Sequence, residues 1–209
     1  MEYRRFSSRS YNEYIGTING STHAMLKYKN LTKSTMSKNV WAVDPTHSEV
    51  QFKVKHMMIT NVTGQFTDFT AKAETEGDDF SKANISFEAQ IASIDTKNTQ
   101  RDEHLKSGDF FDAAEFPAMS FQSTSIEKKD DENFIINGDL TLKGVTKQIS
   151  IDAEFGGIGQ DPYGNTKAGL SLNGKINRED FGLGWNAALE TGGVMVSKEV
   201  KLLAEVQFV

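Results

Sequence analysis

The sequence predicts an all-β protein, an eight-stranded antiparallel β-barrel with one short helical insertion near residues 98–112. Three observations carry that expectation. Apolar residues alternate with polar ones in eight separate runs, the period of strands with one dry and one wet face. Turn-forming stretches divide the runs, and Pro45, Pro117 and Pro162 all fall at run ends or turns. One polar stretch, 98–106, breaks the alternation and is followed by Gly108 as a helix stop. Closure into a barrel is favoured over a sandwich because it removes exposed edges.

The runs follow in order. "SEVQFKVKH" sets Val50, Phe52 and Val54 on one face, and "FTAKAET" sets Phe69, Ala71 and Ala73. "ISFEAQIAS" gives Ile85 and Phe87 with Ala89 and Ile91; "AMSFQS" gives Met119 and Phe121. "NFIINGDLTL" supplies Phe134, Ile136, Leu140 and Leu142, and "KQISIDAEF" supplies Ile149, Ile151, Ala153 and Phe155. "GLSLNGKI" adds Leu170, Leu172 and Ile176, and "KEVKLLAEVQF" adds Val200, Leu202, Ala204, Val206 and Phe208. Thr63-Gly64, Gly77-Asp78-Asp79, Lys128 to Glu132, Lys143-Gly144 and Gly156 to Gly164 read as turns.

Residues 1–35 hold six basic residues against two acidic ones, are polar, and show neither period; they read as a leader that is disordered or precedes the true domain, which is 36–209. The chain's net charge of −6 argues against a nucleic-acid partner, which requires clustered Lys and Arg. With no cysteine there are no disulfides and no thiolate zinc sites. No apolar run approaches a membrane span or a secretory signal core, so a cytoplasmic location is the expectation.

The richest stretch is "RDEHLKSGDFFDAAEFPAMSF" from Arg101. Asp102, His104 and Asp109 as metal ligands lack convergent spacing, since Asp102 and His104 point to different helix faces. The alternative is a cap. Arg101, Asp102, Glu103 and Lys106 face solvent while Leu105, Phe110, Phe111 and Phe116 cover an open barrel end. His47 and His56 flank the first long run. Asp44, His47 and Ser48 lack the strand–turn–helix elbow of a nucleophilic serine. Turn hydrogen bonding is the simpler role for both histidines, with contact to a ligand head group as the sharper one. Arg178 and Asp180 read as an ion pair tying a strand end to a loop, or as an anion site. Met57-Met58-Ile59 is either core or an adaptable lip at an entrance.

Inward positions mix Phe52, Phe69, Phe87, Phe121 and Phe134 with alanines and glycines. A barrel of this size either fills with side chains or holds one small ligand, and both a packed core and a narrow apolar channel fit this mixture.

Taken in order, "VDPTHSEVQFKVKH", "GQF", "SIDT", "RDEHLKSGDFFDAAEFPAMSFQS", "INGDLTLKGVTK" and "INREDFGLGWN" resemble the YceI-like family over about Val40 to Val209. The resemblance implies a lipocalin-like barrel whose lumen takes a long polyisoprenoid chain, free or bearing a quinone ring. It implies no catalytic residue, no metal and no cofactor beyond that lipid, and it suggests a homodimer. Two features depart from the family pattern: a secretory signal is not visible, and Thr70 and Ala71 follow Phe69 where glycine is common. The lumen-lining set is then Val50, Phe52, Val54, Phe69, Ile85, Phe87, Met119, Phe121, Phe134, Ile136, Leu140, Leu142, Ile149, Ile151, Leu170, Leu172 and Leu202, with His47, His56, Leu105, Phe110 and Phe111 at the cap or head-group end. Binding, transport or storage of the lipid, with transient membrane contact, is the expected function. An enzyme acting on such lipids and a packed interaction module partnering a membrane redox complex are the rivals.

Overall fold

A computed structural model of the protein describes residues 38–190 and 193–209. The expected leader, 1–35, lies outside the described residues. Among the described residues eleven antiparallel strands form one sheet: β1 (Lys38–Ala42), β2 (Glu49–His56), β3 (Thr60–Phe66), β4 (Phe69–Glu76), β5 (Asp79–Gln90), β6 (Ile94–Asp95), β7 (Ala118–Lys128), β8 (Asn133–Leu142), β9 (Val145–Gln160), β10 (Thr166–Asn177) and β11 (Val196–Phe208). Helix α1 (Thr99–Lys106) sits between β6 and β7. Neighbours run β1-β4-β5-β7-β8-β9-β10-β11-β2-β3-β6.

The all-β, antiparallel expectation with one short helix holds; the count of eight strands does not. The eight alternating runs became β2, β4, β5 and β7 to β11, and the additional strands are β1, β3 and β6. Each hides from periodicity for a physical reason. β1 buries only Trp41, and Val40 is in solvent. β3 places a glycine, Gly64, at an inward position, so Thr63-Gly64 reads as a turn although it lies mid-strand. β6 is two residues long. The turn expected over Gly156 to Gly164 is also shorter. β9 runs on to Gln160 through a β-bulge opposite Gly169, where Gly157 adopts φ 94°.

The sheet curls until its first strand meets its eleventh. Ala42 and Val209 exchange N–H···O bonds of 2.9 and 2.8 Å, and Asp44 N–H donates to Gln207 O at 2.7 Å. Antiparallel pairing then sorts the connections between two ends. The β4–β5, β7–β8 and β9–β10 turns share one end. The β8–β9 turn, the β10–β11 connection, the β2–β3 turn and the α1 segment share the other. Lys143 Nζ donating to Gly108 O at 3.0 Å ties two of these together. In the β8–β9 turn Lys143 and Gly144 both have positive φ (49° and 73°), the two-residue hairpin that matches strand twist.

An aromatic plug fills the first end. Phe80 lies 5.4 Å from Trp41, 5.0 Å from Phe155 and 6.3 Å from Phe208 between ring centroids. Such pairs add about 0.5–1.5 kcal/mol each beyond area burial. Trp41 Nε1–H donates to the buried Thr75 Oγ1 at 2.9 Å, so the indole's polar edge is satisfied inside the plug.

Candidate functional site

Between the plug and the α1 end lies a cavity of about 200 Å³. Alternation brings the expected side chains to it strand by strand. β2 contributes Val50, Phe52 and Val54; β5 contributes Ile85 and Phe87; β7 contributes Met119 and Phe121. From β8 come Ile136, Leu140 and Leu142, from β9 Ile149 and Ile151, from β10 Leu170 and Leu172, and from β11 Leu202.

Two expected wall residues are elsewhere. Phe69 is buried against Phe87, ring centroids 6.4 Å apart, and Phe134 meets Phe155 edge-on at 6.5 Å. Each lies at the start of its strand on the inward face, but its ring packs against a neighbouring phenylalanine and does not reach the wall. Alternation reports which face a residue takes, not which inward rings meet the open space and which pack on one another. The wall also includes Phe66, Leu183 and Val196, whose segments carry too few alternating apolar positions to announce it. Val200, Ala204, Val206 and Phe208 share the inward face of Leu202 and also belong to the wall.

Two glycines give the cavity its width. A Cβ at Gly64 would sit 2.6 Å from Phe52 Cε1 and 2.8 Å from Thr96 Cγ2. One at Gly138 would sit 2.6 Å from Phe121 Cε2 and 2.5 Å from Gln122 O. With hydrogen there instead, each ring lies against the strand beside it rather than projecting into the space.

At the α1 end Leu105, Phe110 and Phe111 line the cavity. Phe111 meets Phe66 edge-on at 6.3 Å, and Phe110 packs 5.1 Å from Trp185. His104 stands edge-on to both Phe110 and Trp185 (5.1 and 4.9 Å), with Nε2 3.0 Å from Asp109 Oδ2. Asn98 caps α1 by accepting from Arg101 N–H at 3.0 Å. Asp102, expected in solvent, is instead buried. Its Oδ1 accepts from Thr96 N–H at 2.9 Å and Thr96 Oγ1 at 2.5 Å. Arg101 closes the clamp, Nε on Thr96 Oγ1 and Nη2 on Thr96 O, both 2.7 Å. A carboxylate can be buried there because charge-assisted bonds replace its water. The helix is thereby pinned to the sheet through Thr96.

Arg178 is the other correction. It is 3% exposed and lines the cavity, yet it neither pairs with Asp180 nor offers an anion site. Its Nε donates to Ser197 O at 3.0 Å, Nη2 to Val196 O at 3.5 Å, and Nη1 to Leu183 O. Asp180 accepts from Asn177 Nδ2 at 3.0 Å instead. Burial away from water lowers the Arg178 pKa. The guanidinium's three donor positions clip the β10–β11 connection to the start of β11.

Neither expected head-group histidine reaches the cavity. His47 is mostly exposed on the outside, its Nδ1 2.9 Å from Asp44 Oδ2. Asp44 also accepts from Thr46 Oγ1 (2.6 Å), Lys167 Nζ (3.3 Å) and Gln207 Nε2 (3.2 Å). The Thr46 and His47 bonds hold the Asp44 carboxyl well below the usual range. His56 ends β2, paired with Thr60 and Val196. It shares the inward parity of Val50, Phe52 and Val54, but it is the last residue of β2 and is not part of the cavity wall. Among the described residues no three His, Asp or Glu side chains come together as metal ligands.

Comparison with known proteins places this geometry. The YceI-like domain matches residues 41–208. A UPF0312 protein of Staphylococcus aureus is 42% identical over 166 residues, covering 79% of this chain and 94% of the relative. The Campylobacter jejuni YCEI protein is 38% identical with a TM-score of 0.63, over 74% of this chain and 88% of its own. A polyisoprenoid binding domain from Saccharophagus degradans shares the fold at 12% identity, TM-score 0.52, over 80% and 97% of the two chains. With the domain match spanning the curled sheet from Trp41 to Phe208, the chain belongs to the YceI-like family.

Proposed function

We propose that this chain is a non-enzymatic carrier or store of a long polyisoprenoid lipid, free or bearing a quinone ring, held in the cavity of the curled sheet. The observation that carries the reading is the chemistry of the wall, where among the described residues Gln51 and Arg178 alone have polar side chains. A buried water needs two to four polar partners and about 10–15 Å³. This cavity has ample space and almost no partners, so an apolar guest suits it better than solvent. Recognition would then be by width and length.

Energetics support a chain-like guest. An isoprene unit has five carbons, and at ~0.8 kcal/mol per buried CH₂ each unit contributes roughly 3–4 kcal/mol. A few units offset an association cost on the order of 4–15 kcal/mol. The polar groups near the cavity are engaged already, His104 by Asp109 and Arg178 by three carbonyls, which favours a carrier over an enzyme. The polyisoprenoid binding named for the Saccharophagus degradans domain points the same way through a shared fold.

The test is organic extraction of the purified full chain followed by mass spectrometry, with uptake of added solanesol as a second arm. A co-purified isoprenoid, or saturable uptake of solanesol, is the expected result. Protein that yields no isoprenoid and takes up no solanesol refutes the carrier.

A further inference from the structure

Three consecutive large apolar side chains stand in solvent at the β2–β3 turn. Met57 is 41% exposed, Met58 53% and Ile59 77%. A single exposed apolar residue needs no explanation. Three in a row at a tight turn do, because Gly, Asn and Asp are the residues such turns ordinarily use. The backbone sharpens the point. Met57 and Met58 have φ of 51° and 61°, the left-handed region that disfavours any residue with a Cβ. Glycine would relax either position, yet the chain places methionine, a side chain that adapts to irregular apolar surroundings, at both.

The turn belongs to the covered end of the cavity. Val54 and Val196 line the wall, and Val196 pairs with His56, the residue before the turn. Met57 N–H donates to Met195 O at 2.7 Å, which fixes the turn against the β10–β11 connection. Behind it the outward faces of β2 and β11 carry Lys53, Lys55 and Lys201. Lys53 and Lys201 are directly opposite each other, a like-charge placement that destabilises a sheet left to itself. None of the three is ion-paired among the described residues, and the neighbouring Glu199 and Glu179 are taken by Lys175 and Lys198. On a chain of net charge −6 this is a local basic stripe.

The geometry points to the β2–β3 turn as a membrane-docking element. Met57, Met58 and Ile59 enter the interface of an anionic phospholipid bilayer, and Lys55, Lys53 and Lys201 meet its headgroups. At a strand rise of ~3.3 Å per residue, Lys55 is about 7 Å and Lys53 about 13 Å behind Met57. With the turn sunk roughly 5–10 Å, as interfacial apolar side chains are, Lys55 lies at headgroup level. Lys53 and Lys201 remain within a Debye length, about 8–10 Å, of the surface. The covered end of the cavity then faces the membrane that supplies or receives its lipid; that purpose, though not the surface itself, rests on the carrier reading.

The experiment is co-sedimentation of the full chain with vesicles of phosphatidylcholine alone and of phosphatidylcholine mixed with phosphatidylglycerol. The wild type should pellet with the mixed vesicles and stay largely in solution with phosphatidylcholine alone. Ile59→Asp should weaken binding roughly tenfold or more, the partition ratio of one buried aliphatic side chain. Lys53→Glu/Lys55→Glu should lose binding to the mixed vesicles. Met58→Gly guards against misfolding, since it relaxes a left-handed residue: its thermal midpoint should rise while its vesicle binding falls. Lipid extraction of each variant should give the wild-type isoprenoid content, because the turn is outside the cavity wall; that arm reports on the carrier separately. Wild type that stays in solution with both vesicles, or variants that pellet like wild type, overturns the proposal. So does a wild-type dimer that Ile59→Asp splits in the absence of vesicle binding, which assigns the turn to a second copy.

Discussion

Gly64→Ala tests whether glycine sets the width of the cavity. The added Cβ would sit 2.6 Å from Phe52 Cε1 and 2.8 Å from Thr96 Cγ2, where carbon contacts want about 3.5–4.0 Å. One neighbour must move by roughly 1 Å. Thr96 is held through its N–H and Oγ1 by Asp102 and Arg101, so the phenyl ring yields, and the free direction is into the cavity that it lines. Overpacking costs about 1–3 kcal/mol, offset by the ~0.5–1 kcal/mol that alanine recovers over glycine in a strand. A net loss of about 1–2 kcal/mol lowers the thermal midpoint by about 2–8 °C for a domain of this size. The same displacement should cut the isoprenoid recovered by extraction. Phe52→Leu removes the end of the ring, so in a double-mutant cycle the pair should be coupled favourably by about 1 kcal/mol. Independent effects that add within roughly 0.3–0.5 kcal/mol would refute the reasoning, as would a Gly64→Ala protein with an unchanged midpoint.

Ile136→Glu puts a carboxylate on the cavity wall at a residue 3% exposed, and the unpartnered group costs at least about 1–3 kcal/mol. Lipid occupancy should fall sharply while circular dichroism still reports a folded sheet; Thr141→Glu, on the outward face of β8, should leave occupancy intact. Asp102→Ala strands the Thr96 N–H and hydroxyl in a buried clamp and should cost about 1–3 kcal/mol in denaturant melts. His104→Ala should change neither lipid content nor metal content by elemental analysis, since its polar partner is the exposed Asp109. For Asp44 the folded carboxyl is held below its ordinary value, so the folded state binds the proton less readily than the unfolded state. Its stabilisation is present above about pH 4 and is lost as pH falls through the lowered folded value. Stability of wild type and Asp44→Asn, measured against pH, should therefore converge in acid; a gap that stays constant below about pH 4 contradicts the assignment.

Val50, Phe52 and Val54 show how much of the site is legible in the sequence. Strict alternation names an inward face, and nearly every wall residue of the long strands follows from it. The same rule is silent on which inward rings pack on one another, so Phe69 and Phe134 share the inward face yet meet Phe87 and Phe155 instead of the open space. It is silent too where an inward place is taken by glycine, and Gly64 hides β3 for that reason. Asp102 illustrates a different blindness. A charged residue on a polar helix reads as solvated, and only the fold shows Thr96 presenting two donors to it. Charge alone likewise pairs Arg178 with Asp180, whereas the carbonyls of Leu183, Val196 and Ser197 compete better for a planar, five-donor group.

The placement of β11 has a consequence for how the protein is made. This strand joins β10 to β2, and Gln207 N–H reaches Ser48 Oγ across 159 residues of chain. At synthesis rates of about 5–20 residues per second, roughly 8–30 s separate the appearance of the two partners. Throughout that interval β2 and β3 wait with one edge unpaired, and the sheet cannot curl shut. Non-local pairing of this kind is slow and leaves apolar strands open to aggregation. The surface on view while the chain waits is the inner one, the face later reserved for the cavity, so a nascent-chain chaperone would meet the same apolar wall that a guest does afterwards.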